Sequence, residues 1–154
     1  MAVLNLKYLV YENRPRYDSS LKWLVSAILG LTFIPAIILL NIDIIGAWAL
    51  LAGTALDALL LYIIIPRKYQ VFSDRVKIVL GGPFSIDLRF STIEEVRAVT
   101  DTKTFVYWGV RMATSSKGII EIVRQSGIDV VISPRDSDTF LGQIREAMDT
   151  HRTD

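Results

Sequence analysis

Two long apolar stretches in the first third of the chain constrain its fold more than any other feature. They are Leu24–Leu40 and Ile44–Ile65, and only Asn41-Ile42-Asp43 separates them. A helix rises about 1.5 Å per residue, so crossing roughly 30 Å of hydrocarbon takes about 20 residues. Both stretches meet that length, or come close to it with their flanks. The sequence therefore predicts a transmembrane helical hairpin over residues 23–65, after a cytoplasmic segment at 1–22.

Two alternatives to a membrane hairpin are disfavoured by the sequence. A signal peptide does not fit, because the first stretch follows a polar lead of about twenty residues and is followed at once by a second span. A helical hairpin buried inside a soluble protein does not fit either, because the rest of the chain is too small to cover two such helices.

Basic residues around the hairpin predict its orientation. They precede the first span and follow the second, whereas the short connecting loop contains no Lys or Arg. By the positive-inside rule, both termini are expected in the cytoplasm of a multi-pass protein of the cell membrane. The residues concerned are Lys7, Arg14, Arg16, Lys22, Arg67 and Lys68.

Asp57 is the one ionisable residue well inside a predicted span, where its insertion costs about 2.5–3.5 kcal/mol. Gly53 lies one turn before it, and an antiparallel hairpin would place Asp57 opposite about Gly30, one turn from Ser26. Small residues at this spacing favour close helix contact. We therefore predict a helix-packing seam of Ser26, Gly30, Gly53 and Asp57, within the hairpin or between protomers. A proton- or cation-coupling site, or pairing with a charged residue of another membrane protein, remains an alternative.

From Lys68 onward, apolar and polar residues alternate, as is typical of half-buried strands. Seven strands are predicted, around residues 69–72, 76–80, 84–90, 97–100, 112–115, 119–124 and 128–133. Gly81-Gly82-Pro83 predicts a turn between the second and third of them. Ser133-Pro134-Arg135-Asp136 predicts a helix start with a serine cap, a proline at the first position and an acid at the third. The apolar stripe of that helix is Phe140, Leu141, Ile144 and Met148.

The order of these elements resembles the bacterial pleckstrin-homology (PH) domains. Tyr69-Gln70-Val71, Arg75-Val76-Lys77-Ile78 and Val131-Ile132-Ser133-Pro134 with Phe140 carry the resemblance, together with Ala113-Thr114-Ser115 and Ile120-Glu121-Ile122. It implies an α+β chain in which the hairpin is followed by a seven-stranded, partly open barrel over residues 66–150, capped by a C-terminal helix and ending in a polar tail at 151–154. In that family such a domain often follows a pair of membrane helices. The resemblance implies neither phosphoinositide binding nor catalytic residues.

Two surfaces of this domain are candidate binding sites. The first is basic: Arg75, Lys77 and Arg89 share the polar faces of the first hairpin of strands, and Arg67 and Lys68 lie beside the second span. Solvated strand faces also look like this, and Asp74 and Asp87 dilute the charge. These basic residues therefore either bind anionic lipid or form an ordinary solvated face of the strands. The second surface is a loop with the aromatic residues Phe105, Tyr107 and Trp108, which either plug the barrel mouth or contact a protein partner or the bilayer.

Composition excludes several classes of function. The chain of 154 residues has no cysteine and one histidine, His151, which excludes disulfides, thiolate metal sites and a histidine cluster. A net charge of +1 gives no support to nucleic-acid binding. No catalytic, cofactor or metal site is predicted. We expect a membrane-anchored scaffold or protein-interaction subunit, with a homo-oligomer or another protein as partner. A module that senses anionic lipid or membrane stress, and a small ion-coupled transport subunit built on Asp57, are the alternatives.

Overall fold

The computed structural model describes residues 8–99 and 110–153 as an α+β chain. Within these ranges it contains two N-terminal helices, eight strands in two sheets, and a C-terminal helix. The elements are β1 (Leu9–Asn13), α1 (Ser19–Leu39), α2 (Ile44–Ile64), β2 (Lys68–Phe72), β3 (Arg75–Val79), β4 (Ser85–Arg89), β5 (Ile93–Val99), β6 (Val110–Met112), β7 (Ile119–Arg124), β8 (Val130–Ile132) and α3 (Ser137–Thr153).

The strands form two four-stranded sheets, which we name the first and the second sheet. The first has the order β1-β2-β3-β4 with antiparallel neighbours throughout. The second has the order β5-β7-β8-β6, and its β6–β8 pair is parallel. The described strands do not close into a barrel. The seven strands predicted after the hairpin are present as β2 to β8, but the single, partly open barrel is corrected, because no described ladder joins the two sheets. An eighth strand, from the segment before the helices, completes the first sheet.

That additional strand is β1, and it pairs with β2 although the whole helical hairpin lies between them in the chain. Glu12 lies opposite Gln70 and Asn13 opposite Tyr69. The sequence predicts no strand here, because five residues show too little alternation to stand out. Because β1 and β2 are neighbours, α1 and α2 form an insertion between two paired strands of the first sheet.

The core is built from the inward residues of both sheets and from one face of α3. Alternation places Val71 and Ile78 inward from the first sheet, and Ile122 and Ile132 inward from the second, all of them buried. The apolar stripe predicted for the last helix packs on this core: Phe140, Ile144 and Met148 are buried, and Leu141 is partly buried against it. Phe140 and Tyr69 meet as tilted rings with centroids 6.1 Å apart.

The start of the last helix differs from its prediction. Ser133 is fully buried, and its hydroxyl accepts hydrogen bonds from the N–H groups of Thr114 and Ser115 at 2.8 and 3.1 Å. Asp136 takes the capping role instead, since its carboxylate accepts from the N–H and the hydroxyl of Thr139. The helix therefore begins at Ser137, and it runs to Thr153 through the predicted polar tail.

The two N-terminal helices are 21 residues each and pack against one another as an antiparallel pair. The hydroxyls of Thr32 and Thr54 lie 3.0 Å apart across the contact, and Ala36 and Ala47 are fully buried. Asp43 caps α2 by accepting from two backbone N–H groups. By length and composition both helices could cross a membrane, and 6% of the most apolar window of each is buried within the described chain.

The end of α2 touches the turn between β3 and β4. The N–H of Gly81 donates to the carbonyl of Ile63 at 3.3 Å, and a Cβ at position 81 would lie 1.8 Å from the carbonyl oxygen of Tyr62. Such a distance is far inside van der Waals contact, and the obstacle is backbone rather than a movable side chain. Glycine is therefore required for the domain to meet the helix at this point.

We expect Gly81→Ala to destabilise the protein by about 1–3 kcal/mol, the usual range for overpacking a tight contact. Thermal unfolding in detergent would measure the change. Gly142→Ala is the matched control, because a Cβ at that position in α3 meets no atom within 4 Å. The control should stabilise α3 by about 0.5–1 kcal/mol through helix propensity. Equal effects of the two variants would contradict the tight junction.

Candidate functional site

The exposed side of the first sheet carries a row of charged and polar side chains, which we name the outer face. Strand register places Glu12 opposite Gln70, Gln70 opposite Lys77, and Lys77 opposite Asp87. Lys68 lies on the same side of β2 as Gln70, since side chains alternate along a strand. Across the sheet, acids therefore stand at both ends of the row, with an amide and a lysine between them.

Glu12 neutralises part of the predicted basic patch. Its carboxylate accepts from Lys68 Nζ at 2.8 Å and from Gln70 Nε2 at 2.7 Å. The hydrogen bond from Lys68, followed by that from Gln70, lowers the pKa of Glu12 below its usual value. Sequence patterns did not indicate this partner, because Glu12 precedes the helices and Lys68 follows them. Lys68 is thus engaged within the sheet.

The remaining basic residues do not form a single patch. Arg75 lies 3.6 Å from Asp74 and 3.9 Å from Asp87, measured from Nε to a carboxylate oxygen. Arg67 lies at the helix end of the sheet, where its guanidinium stacks over the ring of Tyr62 with 4.1 Å to the ring centroid. Arg89 is exposed and pairs in register with Arg75 at the opposite end of β3. The five predicted lipid-binding residues are therefore spread along the sheet and interspersed with acids.

A second set of polar contacts fastens the segment before α1 to the second sheet. We name residues 14–18 the strap. The N–H of Arg16 donates to the carbonyl of Ser133 at 2.9 Å, and the N–H of Asp18 donates to the carbonyl of Thr114 at 3.2 Å. The Thr114 hydroxyl, which is buried, donates back to the carbonyl of Arg16 at 2.6 Å. The strap thereby continues β1 along the end of the second sheet.

Asp18 ends the strap with three hydrogen bonds to the connection between β6 and β7. Its carboxylate accepts from the N–H of Ser116 at 2.8 Å, and from the hydroxyls of Ser115 and Ser116 at 2.9 and 3.2 Å. The Ser116 N–H contributes most to holding the pKa of Asp18 below its usual value. Asp18 precedes α1 as its N-cap, yet its side chain makes no capping bond to the helix.

Two tyrosine hydroxyls tie further parts of the fold together. Tyr17 of the strap donates to the carbonyl of Pro66 at 2.6 Å, which joins the residues that lead into α1 to those that leave α2. Tyr69 is fully buried and donates to the carbonyl of Met112 at 2.7 Å. Burial raises the pKa of Tyr69 to about 12, so this phenol stays protonated at physiological pH. Both hydroxyls therefore have structural roles.

A cleft of about 500 Å³ opens between the first turns of α1 and the β6–β7 connection. Leu21 and Leu24 form its apolar side, and Arg111 and Ser116 lie on the opposite side. The Ser116 hydroxyl already donates to Asp18, and Arg111 also has an interaction partner. Arg111 and Ser116 are thus engaged within the fold.

The predicted helix-packing residues lie away from the closest contact of the hairpin. Ser26 is exposed, and a Cβ at Gly53 would meet no atom within 4 Å. A Cβ at Gly30 would approach only Ile34 of its own helix. Asp57 is half-buried. The contact runs instead through the Thr32–Thr54 pair, so a packing seam at these positions stays a prediction for contact with another chain.

The loop aromatics and His151 are the remaining candidates from the sequence. Phe105, Tyr107 and Trp108 lie outside the residues that the structure describes. His151 lies on α3, with its ring centroid 6.0 Å from that of Phe90. Within residues 8–99 and 110–153, no three His, Cys, Asp or Glu side chains come together in a way that could hold a metal ion.

Two packed sheets closed by a C-terminal helix define a small binding module of the PH type, a class that is generally non-catalytic. The family described as bacterial PH domain matches residues 67–148, more than half of the chain, and the chain belongs to this family. The resemblance inferred from the sequence is thereby confirmed. Comparisons with curated proteins and with solved structures give no match.

We expect Asp18→Asn to lower the free energy of unfolding by about 1 kcal/mol at neutral pH, because the strap loses hydrogen bonds to an ionised carboxylate. The figure allows for solvent screening of a partly exposed group. The folded state holds the pKa of Asp18 below its unfolded value, so this stabilisation is present above the unfolded pKa. It is lost as the pH falls through the lower, folded pKa. Thermal unfolding of wild type and variant, followed from neutral to acidic pH, would show the two converging.

Asp149→Asn is the control for this experiment, because Asp149 is exposed on α3 and no hydrogen bond to its carboxylate is present among the described residues. Asp149→Asn should lower the free energy of unfolding much less than Asp18→Asn does at neutral pH. A stability difference for Asp18→Asn that persists unchanged into acid would contradict an ionised carboxylate at the strap.

Proposed function

We propose that this chain is a non-catalytic, membrane-anchored module that holds a bacterial PH domain at the cytoplasmic face of the cell membrane. The outer face of the first sheet then binds a protein partner. The observation that carries this proposal is the balance of charge on the outer face, where Glu12 and Asp87 offset Lys68 and Lys77.

A balanced face favours a protein over an anionic membrane surface. Attraction to anionic lipid is worth about 1 kcal/mol for each basic residue near the surface, and adjacent acids reduce it. Here Lys68 is paired with Glu12, and Arg75 is flanked by Asp74 and Asp87. Interspersed charges of both signs are instead the pattern that gives specificity between two proteins.

The edge of the first sheet adds an apolar part to this surface. Tyr8, Leu9 and Val10 are all exposed, at the start of β1, which is the outermost strand of the first sheet. An exposed edge strand offers backbone donors and acceptors to which a partner can add a strand. A second copy of the chain and a different protein would both satisfy this chemistry, as a homo-oligomer or a hetero-complex.

Membrane anchoring is supported by the two apolar helices. Each is long enough to cross the hydrocarbon, and large apolar side chains such as Leu31 and Ile45 are exposed on them. Trp23 and Tyr62 are exposed near the ends of the helices that adjoin the domain, as expected for side chains at the membrane surface. The basic residues on the same side orient that end toward the cytoplasm.

This orientation can be tested with single cysteines, since the chain has none of its own. Ile42→Cys, in the exposed turn between the helices, should react with a membrane-impermeant maleimide added to intact cells. Arg152→Cys, at the end of α3, should react only after the cells are permeabilised. The reverse pattern, or equal labelling of both positions, would contradict a hairpin whose two ends face the cytoplasm.

Protein binding at the outer face can be tested by photocrosslinking the full chain in its native membrane. A benzophenone amino acid in place of Gln70 or Lys77 should form an adduct with a protein of defined mass. The same group in place of Asp149, on α3, is the control and should form no such adduct. Adducts mainly with phospholipid at Gln70 and Lys77 would contradict the proposal and favour lipid binding.

A charge substitution sharpens this test. Asp87→Lys removes the acid opposite Lys77 without changing a buried residue. We expect it to reduce the protein adduct formed at Gln70 several-fold, because the balance of charge is lost. An unchanged protein adduct would contradict a role for that balance in recognition.

A further inference from the structure

The turn between β3 and β4 lies at the end of α2, and an exposed aromatic residue, Phe84, stands where the turn leads into β4. A hydrogen bond of 3.0 Å from the N–H of Leu80 to the carbonyl of Phe84 closes the turn. Gly81 fixes its position, since its N–H donates to the carbonyl of Ile63. Phe84 is 50% exposed although it is a large apolar side chain.

The register of the two helices sets the depth of this turn. Thr32 and Thr54 face each other, and Thr54 lies at the middle of α2. At about 1.5 Å per residue, Tyr62 lies about 12 Å along α2 from Thr54, and Trp23 lies about 13 Å along α1 from Thr32. The hydrocarbon core extends roughly 15 Å on either side of its midplane. Both rings therefore lie near its edge.

The β3–β4 turn lies at the same level as these two rings. A Cβ at Gly81 would overlap the backbone of Tyr62. The turn therefore touches α2 at Tyr62, which lies near the edge of the hydrocarbon core. Arg67 adds a cation over the Tyr62 ring at this level. Aromatic and basic side chains together are the usual composition of a protein at the boundary between headgroups and acyl chains.

We propose that the β3–β4 turn is a membrane-contact site, with Phe84 placed in the boundary between headgroups and acyl chains. Trp23, Tyr62 and Phe84 then form one aromatic belt that continues from the helices onto the domain. This inference rests on the membrane anchoring proposed above. The occupant is the lipid bilayer itself rather than a protein, because the contact with Tyr62 holds the turn at the depth of the interface.

The opposite end of the domain provides an internal comparison. The N–H of Phe90 donates to the carbonyl of Asp74, just before β3 begins, and the N–H of Gln125 donates to the carbonyl of Thr92. The turn from Gln125 to Ile128 therefore lies at the end of the first sheet that is farthest from α2. Ile128 is 58% exposed, so it matches Phe84 in exposure but not in position.

Three single cysteines carrying a nitrobenzoxadiazole fluorophore test the proposal. Ser85→Cys lies next to Phe84 and leaves it in place, Ile128→Cys marks the far turn, and Leu59→Cys marks an exposed position within α2. Each labelled full-length chain is reconstituted into vesicles of phosphatidylethanolamine and phosphatidylglycerol. A fraction of the lipids carries a nitroxide high on the acyl chain, and quenching of each label is measured.

We expect strong quenching at Leu59 and at Ser85, several-fold greater than at Ile128. Adding Phe84→Ser to the Ser85→Cys chain should reduce quenching there, because the turn loses its apolar anchor. Phe84 lies outside the buried core and is 50% exposed, so this variant should stay folded, and thermal unfolding of the labelled chain checks that it does.

The outcomes separate the inference from the proposed function. If the label at Leu59 is quenched but the label at Ser85 is quenched no more than the one at Ile128, the membrane contact is overturned and the anchoring stands. Unquenched label at Leu59 overturns the anchoring and the contact together. Strong quenching at Ser85 that Phe84→Ser does not reduce overturns the role of Phe84.

Discussion

The pairing of β1 with β2 is the interaction on which the rest of the structure depends. It joins two strands separated in sequence by both apolar helices, so the hairpin becomes an insertion between neighbours in one sheet. The start of α1 and the end of α2 must then lie side by side, and the hydrogen bond from Tyr17 to the carbonyl of Pro66 joins them there. The strap continues this arrangement to the second sheet. An isolated fragment that begins at residue 66 would lack β1 and the strap. With them it would lose the acceptors of the Lys68 ammonium and the Thr114 hydroxyl, and the donor to the Ser133 carbonyl.

Local periodicity was sufficient to predict the parts of the fold that are stabilised by a continuous apolar face. The helical hairpin, most strands from β2 onward and the buried stripe of α3 follow from residues a few positions apart. The strand predicted at 112–115 was wrong in its bounds, because β6 ends at Met112. The strand β1 and the strap do not, because their stability comes from partners far along the chain. Ser133 shows the same limit in another form: its local pattern is that of a helix cap, but the N–H groups of Thr114 and Ser115 compete for its hydroxyl. A local motif cannot reveal a distant competitor.

The charged residues of the first sheet show the same dependence on distant partners. Alternation correctly predicted that Arg75, Lys77 and Arg89 occupy one side of their strands, and this suggested a basic patch. Whether such a side is basic depends on which acids the neighbouring strands bring to it. Asp87 could be anticipated from the adjacent strand, whereas Glu12 could not, because β1 was unknown. The single pairing of β1 with β2 therefore decides both the topology and the electrostatic character of the outer face.

Two separate junctions limit how the domain can move relative to the helices. A single flexible linker after α2 would let the domain rotate and tilt, and a partner would have to restrict that freedom on binding. Here the strap holds the start of α1 against Thr114 and Ser116, while the backbone of Gly81 holds the end of α2. Rotation about one junction would break the other, so the orientation of the outer face is fixed, and the protein partner proposed for it would meet a preorganised surface. Preorganisation of this kind reduces the entropy lost on association. It also means that a change in the tilt of the helices would be transmitted to the domain as a change in its orientation.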